Sequence, residues 1–170
     1  MKRAWGFVAL VGLSGCVSAD NLAREQTHGA QFDAAAFFTG RTEGKGTLKV
    51  VLRRAERTLV VGVGSMRTDR TIVLDQTVRR GNHAATCRQW VLHPNGPDRY
   101  VGTLSDAVGP VVGMVSGNRL QLAFAMKGGL EARQWLYLER GGAVARNVMI
   151  VSKLGLPVAR LDETITRKSN

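Results

Sequence analysis

Three side chains of metal-binding type lie close together in the sequence. His83, Cys87 and His93 fall within 11 positions, and imidazole and thiolate are good zinc ligands. The segment is typical of a turn followed by a strand, on which the outer two residues would lie about 33 Å apart. The spacing therefore favours two loop histidines and a small buried cysteine, and we expect no metal and no cofactor.

Nucleophilic and acid–base chemistry have little support. The chain lacks the Gly-x-Ser-x-Gly turn of serine hydrolases. Asp75, Asp106 and Asp162 supply carboxylates, which act as general acids or bases when they converge. Asp106 stands at a predicted strand end before a Val-Gly-Pro sequence. It is interpreted as a turn residue that accepts backbone N–H groups, or alternatively as a carboxylate at the mouth of a pocket.

Aromatic residues offer a different kind of site. Trp135 and Tyr137 are two positions apart, so they share one face of a strand, and Leu136 and Leu138 share the other. If one pair fills a core, the other faces a second layer or a lipid surface. Both core packing and the lining of an apolar ligand site at a barrel mouth remain open.

Alternating short segments must position these residues. In Leu120, Leu122, Phe124 and Met126, for example, the apolar side chains recur every second position, which is typical of a strand with one buried face. Gly, Asn, Pro and Asp separate the segments as turns. Ten strands are predicted at about 43–53, 57–66, 70–79, 86–93, 99–106, 110–116, 119–127, 132–140, 144–152 and 158–167.

The predicted fold class is mainly β, an antiparallel up-and-down barrel of calycin or lipocalin type. A closed barrel would hide the edges of every strand. Ahead of the strands, residues 32–38 (FDAAAFF) predict a short helical turn that packs its aromatic side chains onto the domain. Glycines at 102, 109, 113 and 117 lack the Gly-Lys-Ser/Thr ending of a phosphate loop and favour bulges or barrel bends.

The N-terminus predicts export and lipidation. A basic start is followed by ten apolar residues at 4–13 and then by Leu-Ser-Gly-Cys at 13–16, which resembles the lipobox of bacterial lipoproteins. No apolar segment reaches the 18 residues of a transmembrane helix. We expect residues 1–15 to be a type II signal peptide and Cys16 to carry the lipid, including palmitate. Val17, where inner-membrane lipoproteins often carry Asp, implies the outer membrane, facing the periplasm.

Processing changes the charge balance of the chain. The full 170 residues carry a net charge of +11, and loss of residues 1–15 leaves +9. Residues 41–80 hold ten bases and four acids. Because an exported protein rarely meets nucleic acid, this excess favours anionic lipid headgroups or a solvated polar face. Residues 16–31 are predicted to be a lipidated tether, and residues 32–170 a single barrel domain.

The order of several short motifs is similar to that of a known family. The motifs are Gly40-x3-Gly44-x-Gly46, Trp90-x-Leu92, Tyr100-x-Gly102-x3-Asp106-x2-Gly109-x3-Gly113-x3-Gly117-Asn118, Trp135-x-Tyr137 and Asn147-x4-Ser152-Lys153-x-Gly155. With the lipobox, this order resembles the bacterial lipoproteins of domain of unknown function 3833. The resemblance implies an envelope lipoprotein with a calycin-like β body and no established activity. Arg133 and Gln134 depart from the acidic residues expected before the Trp-x-Tyr motif.

We therefore expect a non-catalytic, outer-membrane-anchored protein. It would bind an apolar or amphipathic envelope molecule, or dock on lipid, and its partners would be membrane lipid through Cys16 and such a ligand, not nucleic acid. The alternatives are a periplasmic enzyme with a carboxylate at the barrel mouth and a structural or assembly factor without a pocket. The candidate ligand-binding residues are Trp135, Tyr137, Asp106, Asn147 and Lys153.

Overall fold

A computed structural model describes residues 30–168, which fold into a short helix and ten strands. The predicted signal peptide, Cys16 and nearly all of the predicted tether lie outside the described residues. The elements are α1 (Ala34–Phe38), β1 (Gly40–Val50), β2 (Glu56–Met66), β3 (Ile72–Arg80), β4 (Thr86–Pro94), β5 (Arg99–Leu104), β6 (Val111–Ser116), β7 (Arg119–Met126), β8 (Leu130–Leu138), β9 (Val144–Lys153) and β10 (Leu156–Lys168).

The ten strands close into one antiparallel barrel. Each strand pairs with the next along the chain, and β1 pairs with β10 from Arg41↔Lys168 to Val50↔Ala159. Closure gives every described strand two hydrogen-bonded neighbours, which removes exposed sheet edges. The predicted up-and-down, lipocalin-like architecture is therefore confirmed, with strand ends shifted by a few residues.

The barrel interior is filled by alternate residues of the strands. Leu120, Leu122 and Phe124 of β7 are buried, and the residues between them are partly exposed. Trp90 of β4 meets Phe124 edge to face, with ring centroids 5.5 Å apart, an arrangement that aromatic quadrupoles favour. A continuous apolar cluster thus connects opposite walls of the barrel.

The helix closes one end of the barrel. Asp33 caps α1 by accepting a hydrogen bond from the Ala36 backbone N–H at 3.0 Å. Phe32 anchors the segment through its backbone N–H, which donates to the Gly117 carbonyl at 2.8 Å. Phe37 and Phe38 are buried among core residues. We call this the capped end and the opposite one, with the β1–β2 and β9–β10 turns, the far end.

Two further observations concern the membrane and the second cysteine. Within residues 30–168, none of the helical structure has the length and apolar character needed to cross a bilayer.

Cys87 is exposed, so the prediction that it is a buried core residue was wrong. The reason is the strand period: Arg88, Trp90 and Leu92 of β4 point inward, which places Cys87 on the outer face.

Candidate functional site

A buried polar cluster of Thr58, Asn147 and Glu163 interrupts the apolar interior across four neighbouring strands. Glu163 of β10 pairs in register with Asn147 of β9 and with Gly46 of β1, and Gly46 in turn pairs with Thr58 of β2. Asn147 is 2% exposed and Glu163 is 8% exposed. The Asn147 side-chain amide donates a hydrogen bond to Glu163 Oε2 at 2.8 Å.

Each member of this cluster also has an unsatisfied oxygen. Among the described residues, Thr58 Oγ1, Asn147 Oδ1 and Glu163 Oε1 are buried without a hydrogen-bond partner. Buried polar atoms are nearly always paired because an unpaired one costs about 1–3 kcal/mol. The cluster therefore presents three acceptor atoms to any donor group that reaches the interior.

Glycines in β1 make room for the Glu163 side chain. A Cβ at Gly44 would overlap the Glu163 carboxyl group, and a Cβ at Gly46 would lie 2.8 Å from Glu163 Cβ and 2.9 Å from Thr58 Oγ1. Any larger residue at Gly44 must displace the acid, and one at Gly46 would also overlap the backbone carbonyl oxygen of Asp162. The absence of side chains at the two glycines thus leaves space for the buried side chain of Glu163.

Burial controls the protonation of Glu163. Removal from water raises the pKa of this carboxyl group, against the opposing effects of the Asn147 hydrogen bond and the charge of Arg88. Its neutral form is therefore favoured more than in an exposed glutamate.

A second polar group extends the cluster on β3 and β4. Arg88 Nε donates to Gln76 Oε1 at 2.8 Å, and Trp90 Nε1 donates to the same oxygen at 2.9 Å. The Arg88 guanidinium carbon lies 5.7 Å from the centroid of the Trp90 ring, within cation–π distance. Burial lowers the pKa of Arg88, and the charges of Glu163 and Asp106 oppose that effect.

A groove of about 680 Å³ crosses the same strands. Its lining residues form two rows, separated by a row of inward-pointing residues. One row is Arg79, Leu59, Lys45, Thr164 and Arg146, and the other is Gly81, Arg57, Thr47, Asp162 and Val148. The row between them is Thr58, Gly46, Glu163 and Asn147.

The alternation of the strands places this groove on the outer face of the barrel. The members of both flanking rows are exposed or half-buried, whereas Thr58, Glu163 and Asn147 are buried. Successive residues point to opposite faces of a sheet, so the flanking side chains form outer walls. The backbone of the inward-pointing row is the floor, and the interior cluster lies behind it.

Most of the charged residues on the groove walls are cations. Lys45, Arg57, Arg79 and Arg146 line it, with Asp162 as the acid on the outer face. Asp162 is itself paired with the neighbouring Arg160, whose guanidinium donates at 2.6 Å and 2.8 Å. That pairing lowers the pKa of Asp162.

One wall cation also has an acidic neighbour. Lys45 Nζ lies 2.9 Å from Glu43 Oε1, and Lys168 Nζ lies 3.6 Å from the same oxygen. Because Glu43 is shared between two lysines and Asp162 is paired with Arg160, a positive charge remains along the groove.

The five sequence-predicted ligand residues do not converge on one site. Trp135 and Tyr137 are half-buried on the outer face of β8, where they alternate with buried residues. Asn147 is in the interior cluster, and its backbone contributes to the groove floor. Asp106 lies exposed in the β5–β6 turn, and Lys153 is exposed at the end of β9. Their roles in binding stay predictions.

The sequence reasoning missed Glu163 and Thr58 in the interior. A usable signal was present for the acid: Leu161, Glu163 and Ile165 occupy alternate positions of one strand, so an acid shares the face of two apolar residues. The excess of basic residues in 41–80 includes the wall residues Arg57 and Arg79. Arg146 comes from a distant part of the sequence and joins them only through the β1–β10 pairing.

The fold is shared with solved structures of low sequence identity. An S-type phycobiliprotein lyase from Guillardia theta superposes with a TM-score of 0.63 and 8% identity, over 80% of this chain and 91% of that one. A protein of unknown function from the DUF3598 family of Nostoc punctiforme superposes with a TM-score of 0.58 and 10% identity. That match covers 82% of this chain, which spans half the length of the Nostoc protein.

Sequence comparison gives the family. No curated protein matches the chain significantly. Residues 10–167 match the family described as protein of unknown function DUF3833, in agreement with the motif order in the sequence. The chain therefore belongs to the DUF3833 family.

Proposed function

We propose that this protein is a non-catalytic binding protein of the bacterial envelope that holds an anionic amphipathic molecule in its outer groove. The observation that carries the proposal is the cationic lining of a groove of about 680 Å³. Arginine binds phosphate and carboxylate groups through paired N–H donors.

The dimensions of the groove favour an elongated ligand. The groove crosses five strands, which gives a length of about 19 Å at about 4.8 Å between neighbouring strands. Its two walls are two residues apart along each strand, which gives a width of about 6.6 Å. Leu59 and Val148 contribute apolar surface to the lining, and arginine and lysine stems add more. An extended chain with a charged head group fits these walls better than a compact polar metabolite.

The location of the protein is part of the same proposal. A lipid on Cys16 would tether the barrel to a membrane, and the absence of Asp after this cysteine favours the outer membrane. Two or more acyl chains are needed for stable anchoring, at about 0.8 kcal/mol per buried CH₂ group. Removal of positions 1–15 would leave the barrel on the periplasmic side with the groove accessible to envelope molecules.

The similarity to a phycobiliprotein lyase is compatible with a role in binding small molecules. At 8% sequence identity, the similarity extends to the fold alone. The ligand class therefore follows from the groove residues of this chain. The buried carboxyl group of Glu163 lies behind the groove floor, and the proposal assigns it no chemical step.

The test is a binding titration with a defined anionic amphiphile. Lysophosphatidylglycerol below its micelle concentration is titrated into the full chain by calorimetry, next to an uncharged monoacylglycerol of equal chain length. Native mass spectrometry of protein from an envelope extract provides a second readout. We expect the anionic amphiphile to bind, the uncharged one to bind at least about tenfold more weakly, and the extract to yield a bound molecule.

Two pairs of arginine variants make the test specific. Arg57→Gln with Arg79→Gln should weaken binding at least about tenfold, since each charged hydrogen bond contributes about 1.5–3 kcal/mol. Arg99→Gln with Arg133→Gln changes two exposed arginines outside the groove and should bind like the wild type. Equal losses in both pairs, or no binding to the wild type by either method, would overturn the proposal.

A further inference from the structure

Two hairpin turns at the far end of the barrel expose large apolar side chains. Leu52 of the β1–β2 turn is 101% exposed, and Leu154 of the β9–β10 turn is 93% exposed. Val51 and Leu156 beside them are 58% and 71% exposed. Single exposed apolar residues are common on protein surfaces, but these four belong to two neighbouring turns.

The two turns form one continuous edge. Their strands are adjacent because β1 pairs with β10, and the Val51 backbone N–H donates to the Val158 carbonyl at 2.9 Å. The apolar side chains therefore lie on adjacent turns at the far end. We call Val51, Leu52, Leu154 and Leu156 the leucine rim.

The backbone of the leucine rim is unusual for these residue types. Leu52 has φ 62° and Leu154 has φ 51°, in the left-handed region that turns normally fill with glycine or asparagine. Neither side chain gains core packing in return, since both are almost fully exposed. Strained backbone positions that bring no packing gain point to a functional demand for an apolar tip.

Cations directly flank the rim residues in the sequence. Arg53 and Arg54 directly follow Leu52, and Lys153 directly precedes Leu154. All three are exposed, and neither segment 51–55 nor segment 153–156 contains an acid. Apolar tips among basic side chains match the two layers of a membrane surface, the acyl boundary and the phosphates.

We propose that the leucine rim docks on an anionic lipid bilayer. The leucine side chains enter the boundary between head groups and acyl chains, and Arg53, Arg54 and Lys153 bind phosphates above them. Three turns at the capped end contrast with this composition because each contains an acid. The β2–β3 turn holds Asp69 between Arg67 and Arg70, the β4–β5 turn (95–98) reads Asn-Gly-Pro-Asp, and the β8–β9 turn (139–143) begins with Glu. The charge and apolar complementarity thus select the far end.

The N-terminus permits this orientation. Position 16 is 14 residues before Ala30, at the start of the described chain beside the capped end, and 14 extended residues span at most about 48 Å. The longest strand, β10, has 13 residues, or about 43 Å at about 3.3 Å per residue. A lipid at position 16 therefore allows the far end to reach the same membrane.

The test places a fluorescent reporter in the rim. The full chain with Cys16→Ser and Cys87→Ser carries an environment-sensitive dye on Leu154→Cys, or on Thr68→Cys in the β2–β3 turn as a matched control. Vesicles contain phosphatidylglycerol with phosphatidylcholine, or phosphatidylcholine alone. We expect a blue shift and quenching by spin-labelled lipid at position 154 with the anionic vesicles, and neither effect at position 68.

Charge and apolar variants separate the two parts of the rim. With the dye on Leu156→Cys, Leu52→Ser combined with Leu154→Ser should abolish insertion. Arg53→Gln with Arg54→Gln should require at least tenfold more anionic lipid for the same dye shift. The substituted side chains are exposed, so near-UV circular dichroism should match the wild type.

Three results would overturn the proposal: a dye that stays in water at position 154, equal insertion into neutral vesicles, or burial of the dye by an envelope protein in the absence of lipid. The rim is separate from the groove. Arg57→Gln with Arg79→Gln should leave insertion unchanged, so failure of the groove proposal is distinguishable from failure of this one.

Discussion

Glu163→Gln should make the barrel more stable at neutral pH than the wild type. The substitution keeps the shape of the side chain and its ability to accept a hydrogen bond from Asn147 Nδ2. In the wild type this bond joins Asn147 Nδ2 to Glu163 Oε2 at 2.8 Å. It removes the negative charge from a site that is 8% exposed. Because burial raises the pKa of Glu163 above the ordinary value of 4.5, ionising this carboxyl group costs more in the folded protein than in the unfolded chain.

The magnitude follows from the contacts of the carboxyl group. One oxygen is satisfied by Asn147, the other has no hydrogen-bond partner within the described chain, and the charge of Arg88 offsets part of the burial penalty. The glutamine keeps a polar atom at the unpaired position but carries no charge, so what it removes is the cost of burying a charged group. Leaving a buried polar group uncompensated costs about 1–3 kcal/mol, and more when it is charged. We therefore expect Glu163→Gln to raise the free energy of unfolding by about 1–3 kcal/mol at pH 8.

The sign of the pH dependence distinguishes this mechanism from simple repacking. A carboxyl group with a raised pKa in the folded state contributes its full stability below its ordinary pKa and loses it as the pH rises through the raised value. Wild-type stability should fall over that interval relative to Glu163→Gln, and the two proteins should converge near pH 4.

Urea denaturation followed by tryptophan fluorescence from pH 4 to pH 8 measures both curves. Asp75→Asn is the matched control, since Asp75 is exposed on β3. The reasoning would be refuted by a Glu163→Gln variant that is less stable than the wild type at pH 8, or by a stability difference that is independent of pH.

Four further predictions concern the fold and the two cysteines. Gly102→Ala should destabilise the barrel by about 3 kcal/mol in urea denaturation, because a Cβ there would overlap the carbonyl oxygen of Val91; an unchanged midpoint would contradict the close approach of β4 and β5. Asp33→Ala should cost about 1 kcal/mol through loss of the helix cap, measured the same way, and a change below about 0.3 kcal/mol would argue against it. Cys16→Ala should abolish fatty-acid labelling and leave an uncut precursor, so a variant that still carries lipid would disprove the lipobox interpretation. Cys87 should react with a maleimide in the folded protein as fast as in urea, because it is exposed; strong protection would indicate that it is covered.

Much of the architecture was predictable because alternation is a local property. Apolar residues at every second position indicate a strand and its buried face, as in Leu120, Leu122 and Phe124. Turn residues between ten such segments predict an up-and-down arrangement, and both features are confirmed. The short helix was also predictable, since Asp33 precedes a compact group of alanines and phenylalanines.

Alternation fails where both faces of a strand are apolar. In β8, Trp135 and Tyr137 alternate with Leu136 and Leu138, so the pattern alone cannot assign the inner face. Packing decides it: the leucines are buried and the aromatics are half-buried on the outside. Cys87 was assigned to the core for a related reason, since its residue type favours burial but its register in β4 points outward.

The sequence by itself determined the strand order, the fold class and the excess of basic residues in 41–80. The tertiary structure decided which of these residues act together. Pairing of β1 with β10 places Arg146 across the groove from Arg57 and brings Glu163 beside Gly46. That pairing joins residues more than 100 positions apart, and it depends on barrel closure, a property of the whole chain that no local pattern of residue types contains.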